Sequence, residues 1–392
     1  MGRGFHISAM ALVATWTKKT FHFNFKARTS RGVMADRDSW FVKIADKALP
    51  DCVGIGEAGP LPGLSKEAGD AFEQDLSRYI DLFNGANIDY RSLEPLDWKG
   101  LSQCIMKACP TVNQFSAILF ALETALLDLK NEGKRLLFKN KFVGGAAIPI
   151  NGLVWMGGMD EMLQQIEIKI QEGFRCLKLK VGGLDFEKEC DILQYIRRKY
   201  FRMDISLRLD ANGAFKPDEA VYKLHELSRY KIHSIEQPIK AGMADMAALC
   251  AYSPIPIALD EELIGVYTFE EKEKLLSRIK PQFIILKPTL HGGLAGCNEW
   301  IELAQAKGVG WWLTSALESN IGLNALAQFA SAFDNPLPQG LGTGKIYEDN
   351  IPSPLEIREG MLFYQASRPW DVGKCNDEQS TGTSCEEDTT GL

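Results

Sequence analysis

Five short apolar runs in this chain end in charge. Asp210, Glu236 and Asp260 close the runs 205–210, 233–236 and 256–260, and lysines close the runs on either side, 176–180 and 283–287. A lone acid at a strand end is usually a turn or a helix cap, but three on consecutive runs at near-even spacing form a set. If the runs are parallel strands of one barrel, their C-terminal ends converge on one face, where unpaired carboxylates repel unless a hard cation sits among them. Mg2+ suits an all-oxygen donor set better than Zn2+, because no His or Cys occupies these positions, and Mn2+ would fit the same donors.

Lys178 and Lys180 stand two apart on one run and so share a face. Reading them as two surface lysines on an edge strand conflicts with the apolar residues around them. A lysine serves as a base only when its neutral form is favoured. One positive charge about 6 Å away, at an effective dielectric near 20, contributes roughly 2.8 kcal/mol, or about two pKa units. Lys178 and a divalent ion together would therefore favour the basic form of Lys180. Lys287, ending the sixth run, would face this pair across the site.

These groups need a scaffold that repeats. From residue 17 to 55 the pattern alternates as an antiparallel meander would, and helical pattern follows over 65–83 and 111–129, so the N-terminal third is α+β. After Gly144-Gly145 strand and helix take turns. A first strand is expected over 148–155, with seventh and eighth strands at 310–314 and 338–342. Helices are expected over 160–173, 185–200, 217–230, 243–252, 269–279, 294–307 and 320–333. Eight parallel strands with crossover helices favour a closed barrel over an open doubly wound sheet. Residues 353–364 read as a further strand pair that returns to the N-terminal part.

The whole chain is large enough for this: 392 residues, 45% hydrophobic and 24% charged, against about 250 residues for a barrel alone. A formal charge of -7 leaves no basic stripe for nucleic acid, so a small molecule is the expected partner. Nine cysteines without CxxC pairs suit a reducing, cytoplasmic setting. No run approaches the roughly 20 apolar residues of a membrane span. Residues 7–16 read as the lead-in to a first strand, and Met10 offers a second start. The polar stretch 371–392 should be a flexible tail. The oligomeric state is left open by the sequence.

Gly54-Ile-Gly-Glu-Ala-Gly59 matches the dinucleotide fingerprint, but Pro60 and Pro62 stand where a phosphate-binding helix should open, so residues 60–64 read as a rigid loop near the barrel mouth. The histidines give no triad, and His291 reads as a turn residue.

Taken in order, the Lys-x-Lys pair, the three acids on successive strands and the lone lysine on the sixth resemble the enolase superfamily, muconate-lactonising subgroup, over about residues 17–370. The resemblance implies an α/β fold: a (β/α)8-type barrel in the modified (β/α)7β form, residues 141–349, with an α+β capping domain, residues 1–140, completed by about 350–370. It implies Mg2+ held by Asp210, Glu236 and Asp260 and bound to a substrate carboxylate. Lys180 would take the proton α to that carboxylate and return it to a departing β-hydroxyl, while the Lys287 ammonium stabilises the flat anion by a cation–π contact. Arg208 and Asn212 would hold the ligand geometry. Ser315, the glycines near Gly342 and Arg31 would meet a succinyl carboxylate.

Stretches 150–157, 208–212, 235–238, 259–261 and 315–322 narrow the resemblance to dehydratases that convert 2-succinyl-6-hydroxy-2,4-cyclohexadiene-1-carboxylate to o-succinylbenzoate in menaquinone biosynthesis. The alternative is racemisation of an N-succinylamino acid in the same site. Dipeptide epimerases would carry Asp-x-Asp at the eighth strand, where this chain has glycines over 340–344. A Schiff-base aldolase using Lys180 or Lys287 is a rival of another class, and the intact set of charges argues against a barrel that has lost its chemistry.

Overall fold

The computed structural model describes residues 12–29 and 32–375. Met10, Arg31 and residues 376–392 of the expected tail lie outside the described residues. Strands β1 (Leu12–Thr29), β2 (Gly32–Asp46) and β3 (Leu49–Ala58) form the antiparallel meander. Both its faces are covered, which is why its alternation is apolar on either side. Trp40, Val42 and Ile44 enter the main core, while Phe41, on the other face, packs with Phe21, Phe23 and Tyr347.

Three helices follow: α1 (Phe72–Asn84), α2 (Trp98–Ala108) and α3 (Ser116–Lys130). The first starts later than its pattern suggested, because residues 61–65 close a turn through the Ser65 hydroxyl, which accepts Leu61 N–H at 2.8 Å. The glycine motif finds its reason in α3. A Cβ on Gly54 would come within 2.0 Å of the Ala125 carbonyl, and one on Gly56 within 2.0 Å of the Ala121 carbonyl. These glycines let a buried helix lie directly on β3.

The expected first barrel strand breaks at Asn151 into β4 (Ile148–Pro149) and β5 (Gly152–Val154). A seven-stranded parallel sheet then runs in sequence order through β5, β6 (Cys176–Lys180), β7 (Ser206–Asp210), β8 (Ser234–Glu236), β9 (Ile257–Leu259), β10 (Phe283–Leu286) and β11 (Gly310–Leu313). Helices α4 (Met159–Gln171), α5 (Phe186–Lys199), α6 (Pro217–Ser228), α7 (Asp245–Tyr252), α8 (Phe269–Ile279), α9 (Gly293–Ala306) and α10 (Asn320–Ala330) alternate with them.

The expected eighth strand is reduced to two bridges, and these reach both edges of the sheet. Gln339 pairs with Ile150 and Gly340 with Thr314, both in parallel. The result is a barrel-like α/β fold with its strand ends on one face. Strands β12 (Leu355–Arg358) and β13 (Met361–Tyr364) form the predicted pair, but β13 bonds to β4 and not to the meander. The tail also begins later than 371. Residues Val372–Cys375 form a single 3-10 turn, Cys375 is buried, and its carbonyl accepts the Thr17 hydroxyl at 3.1 Å.

The cysteines among the described residues are free thiols. No helix among those residues is long and apolar enough to cross a membrane.

Candidate active site at the strand ends

Register does the first part of the positioning. Lys180 lies opposite Asp210 across β6 and β7, and Asp210 opposite Glu236 across β7 and β8. Being in step, their side chains leave the sheet at one level. Lys180 and Asp210 open into a cavity of about 770 Å3 whose strand-end wall also includes Lys178, Asn212, Lys287 and Ser315. The opposite lining comes from Arg37 and Trp40 of β2 and from Pro60, Leu61, Pro62 and Leu64, so the rigid loop does lie at the mouth.

Inside, ammonium and carboxylate groups are paired. Lys178 Nζ donates to Glu236 Oε2 at 2.5 Å and lies 2.9 Å from Asp210 Oδ2. Lys180 Nζ donates to Asp210 Oδ2 at 2.7 Å and to Asn212 Oδ1 at 2.6 Å. Lys287 Nζ donates to Asp260 Oδ2. Burial alone would push the Lys178 ammonium down, but the charges of Asp210, Glu236 and Asp260 outweigh it and hold the group well above the ordinary lysine value. The same contest raises Lys287, with Asp260 the larger charge and Glu236 next. For Asp210 burial acts upward, and Lys178 and Lys180 together drive the carboxyl far below the usual range. Glu236 moves up, through burial and then the charge of Asp210.

The expected acids and the flanking amines thus meet at one site. Among the described residues no group of three Asp, Glu, His or Cys side chains is spaced to hold an ion. Each of the three carboxylates instead lies beside a lysine ammonium. The donors still fit a hard cation in kind. Glu236 Oε1 and Asp260 Oδ1 are buried and have no hydrogen-bond partner, and an unmatched carboxylate oxygen is a ready ligand.

The surrounding residues divide. Asn212 lies against the acids: besides accepting from Lys180, its N–H donates to Asp210 Oδ1 at 3.1 Å and its Nδ2 to Glu261 Oε1 at 3.0 Å. Arg208 does not buttress the acids. Its Nη1 donates to the Pro338 carbonyl at 2.7 Å and its guanidinium lies 3.7 Å from the Trp312 ring centroid, so it ties the eighth segment into the barrel interior.

Ser315 lines the cavity, its hydroxyl donating to Glu318 Oε2 at 2.5 Å, with Thr343 Oγ1 2.9 Å away. Gly342 is not among the lining residues; it faces the Asn151 carbonyl, which a Cβ there would meet at 3.2 Å. His291 is a turn histidine as expected, its Nδ1 accepting the Lys287 N–H at 3.0 Å. Burial, then Lys287 and Lys272, hold it well below the ordinary histidine value, so it is neutral.

Sequence reasoning missed two buried charges on the meander. Arg37 shares its strand face with Ser39 and Phe41, and that parity was the available signal of an inward charge. Glu57, inside the glycine motif, accepts the Ser39 hydroxyl at 2.8 Å, the Ser319 hydroxyl at 2.6 Å and the N–H groups of Ser319 and Gly322 at 2.9 Å each.

Residues 161–368 match the family described as Enolase C-terminal domain-like, and with the strand-end charges in this order the chain belongs to the enolase superfamily. Among curated relatives, the o-succinylbenzoate synthase of Desulfotalea psychrophila is 43% identical over 362 residues, covering 87% of this chain and 95% of that protein. The L-Ala-D/L-Glu epimerase of Bacillus subtilis is 30% identical over 189 residues, 45% of this chain and 50% of the epimerase. The crystal structure of MenC from Desulfotalea psychrophila superimposes with a TM-score of 0.76 at 39% identity, covering 90% of this chain and 99% of that one. Muconate lactonizing enzyme from Pseudomonas fluorescens gives 0.76 at 21% identity over 94% and 98%, a likeness of fold alone.

Proposed function

We propose that this chain is a Mg2+-dependent dehydratase that converts 2-succinyl-6-hydroxy-2,4-cyclohexadiene-1-carboxylate to o-succinylbenzoate. The observation that carries the reading is the match to o-succinylbenzoate synthase over 87% of the chain. Supporting it, Lys180 and Lys287, on strands with β7, β8 and β9 between them, line one cavity.

Asp210, Glu236 and Asp260 are the residues that would hold Mg2+, with Mn2+ an acceptable substitute in an all-oxygen set. A bound dication supplies the positive charge that an anion spread over two carboxylate oxygens requires. The chain's own residues do the rest. Lys180 Nζ, as the neutral amine and aimed by Asn212 Oδ1, takes the ring proton α to the carboxylate and becomes the ammonium; the C–H electrons enter the carboxylate system. They return to form the ring double bond as the β-hydroxyl leaves on the same face, carrying the proton from Lys180 away as water. An aromatic product makes the elimination run downhill.

Lys287, kept charged by Asp260, suits a cation that stabilises the flat anion. Racemisation of an N-succinylamino acid, the second reading, needs Lys287 as a second base in place of a cation. In this reading residues 1–140 with 350–370 act as a cap over the (β/α)7β barrel of 141–349, and the free thiols suit the cytoplasm. Arg31 remains a candidate contact of the cap loop.

Assaying purified protein on the cyclohexadiene substrate with and without chelator tests this. Aromatisation that stops on chelation and resumes with Mg2+ is the expected result. Deuterium exchange into an N-succinylamino acid with no aromatisation would overturn it in favour of the racemase.

A further inference from the structure

Arg37 is a buried cation in the cavity wall with unpaired donors. It is 5% exposed, it lines the cavity with Lys180 and Lys287, and its Nε and Nη1 have no hydrogen-bond partner. Nη2 alone is engaged, donating to the Gly59 carbonyl at 2.6 Å, and this fixes the plane of the guanidinium. A Cβ on Gly59 would lie 2.6 Å from that same Nη2, so the last glycine of the motif makes room for the arginine. Among the described residues Arg37 forms no ion pair, although a buried guanidinium without one is unfavourable.

The other cations of the cavity are engaged. Lys18 Nζ lies 2.8 Å from Asp38 and 3.4 Å from Glu73. Lys178, Lys180 and Lys287 each hold a carboxylate. An incoming anion therefore finds its unpaired charged donors at Arg37, on the meander wall.

We propose that Arg37 binds the second carboxylate of a dicarboxylate substrate, the one at the far end from the carbon that loses its proton. This rests on the proposed reaction, whose substrate and product both carry a succinyl carboxylate in addition to the ring carboxylate. Arg37 is then the residue that selects a succinylated substrate over one lacking that group. Charged hydrogen bonds in a cavity of low dielectric give such a contact its strength.

The test is calorimetric titration of the Mg2+-loaded protein with o-succinylbenzoate and with 2-butyrylbenzoate, in which a methyl group replaces the far carboxyl. Wild type should prefer the diacid. Arg37→Met should weaken the diacid on the order of 10- to 100-fold and change 2-butyrylbenzoate by less than about twofold. Arg37→Lys, which keeps one charge, should recover part of the loss and carries the same comparison if Arg37→Met does not fold. Equal losses for both ligands would assign Arg37 a purely structural role and overturn the proposal, as would unchanged affinity for the diacid. Wild type that binds neither ligand would overturn the substrate reading itself and this assignment with it, an outcome distinct from the other two.

Discussion

Asn212 offers its Oδ1 to the Lys180 ammonium at 2.6 Å from a left-handed backbone, φ +45°. That conformation costs an ordinary residue roughly 1–2 kcal/mol and is tolerated best by Asn and Gly. It turns one side chain between Lys180 and Glu261, and the N–H of the same residue onto Asp210. Asn212→Ala should therefore lower kcat on the order of 10- to 100-fold while leaving the dissociation constant of o-succinylbenzoate within about twofold. Asn212→Gly should lose the same activity and be more stable than the alanine variant by about 1 kcal/mol. Steady-state kinetics and urea unfolding of the pair separate the two effects.

Lys180→Ala should abolish aromatisation, since no other amine among the described residues is bonded to Asn212 Oδ1. Its Mg2+ affinity should equal or exceed that of wild type, because an ammonium competing for Asp210 is gone. Glu236→Gln should weaken Mg2+ binding and turnover together, by about tenfold or more in affinity as expected for loss of a charged ligand. Metal titration followed by fluorescence, run beside the activity assay, checks both; a Lys180→Ala protein that still dehydrates substrate would rule out the assigned base.

Glu57 joins residues 262 positions apart, taking Ser319 N–H and hydroxyl at the start of α10. Four donors converge on this buried carboxylate, so Glu57→Ala strands several of them at once. The expected loss is about 3 kcal/mol in urea unfolding, with Glu57→Gln milder because one acceptor oxygen survives. A Glu57→Ala midpoint equal to that of wild type would show that this contact does not fasten the meander to α10.

The strand ends were legible because two signals coincide there: period-two apolar runs and a charge at the last position of each. What escaped was set by contacts between distant segments. That Lys178 and Lys180 both place Nζ against Asp210 Oδ2 is one such contact, which no local pattern records. The strand expected over 148–155 broke because Ile150 N–H bonds to the Gly360 carbonyl and Asn151 N–H to the Gln339 carbonyl. Helix α2 is short, with Gly100 inside it, and only the Asp97 cap on Gly100 N–H announces it. In Gly54–Gly59 the glycines were visible, but a glycine that admits a phosphate and one that admits a helix look alike in sequence.

Glu123 gives the protein a pH dependence that can be measured apart from catalysis. Its carboxylate accepts Leu294 N–H at 2.5 Å and Ala295 N–H at 3.3 Å at the first turn of α9. Burial pushes the carboxyl from the ordinary 4.5 up to about 8, against the pull of those two donors. The folded chain thus holds a proton that the unfolded chain releases, and stability falls as pH rises from 4.5 toward 8, levelling above. The full effect is on the order of 5 kcal/mol. Glu123→Gln keeps an oxygen for the helix but cannot ionise, so its stability should change less over this range. Urea midpoints at pH 5 and pH 8 for both proteins isolate the contribution as the difference between their slopes. Equal slopes would mean that Glu123 is ionised at both pH values and that the α9 amides, not burial, govern its charge.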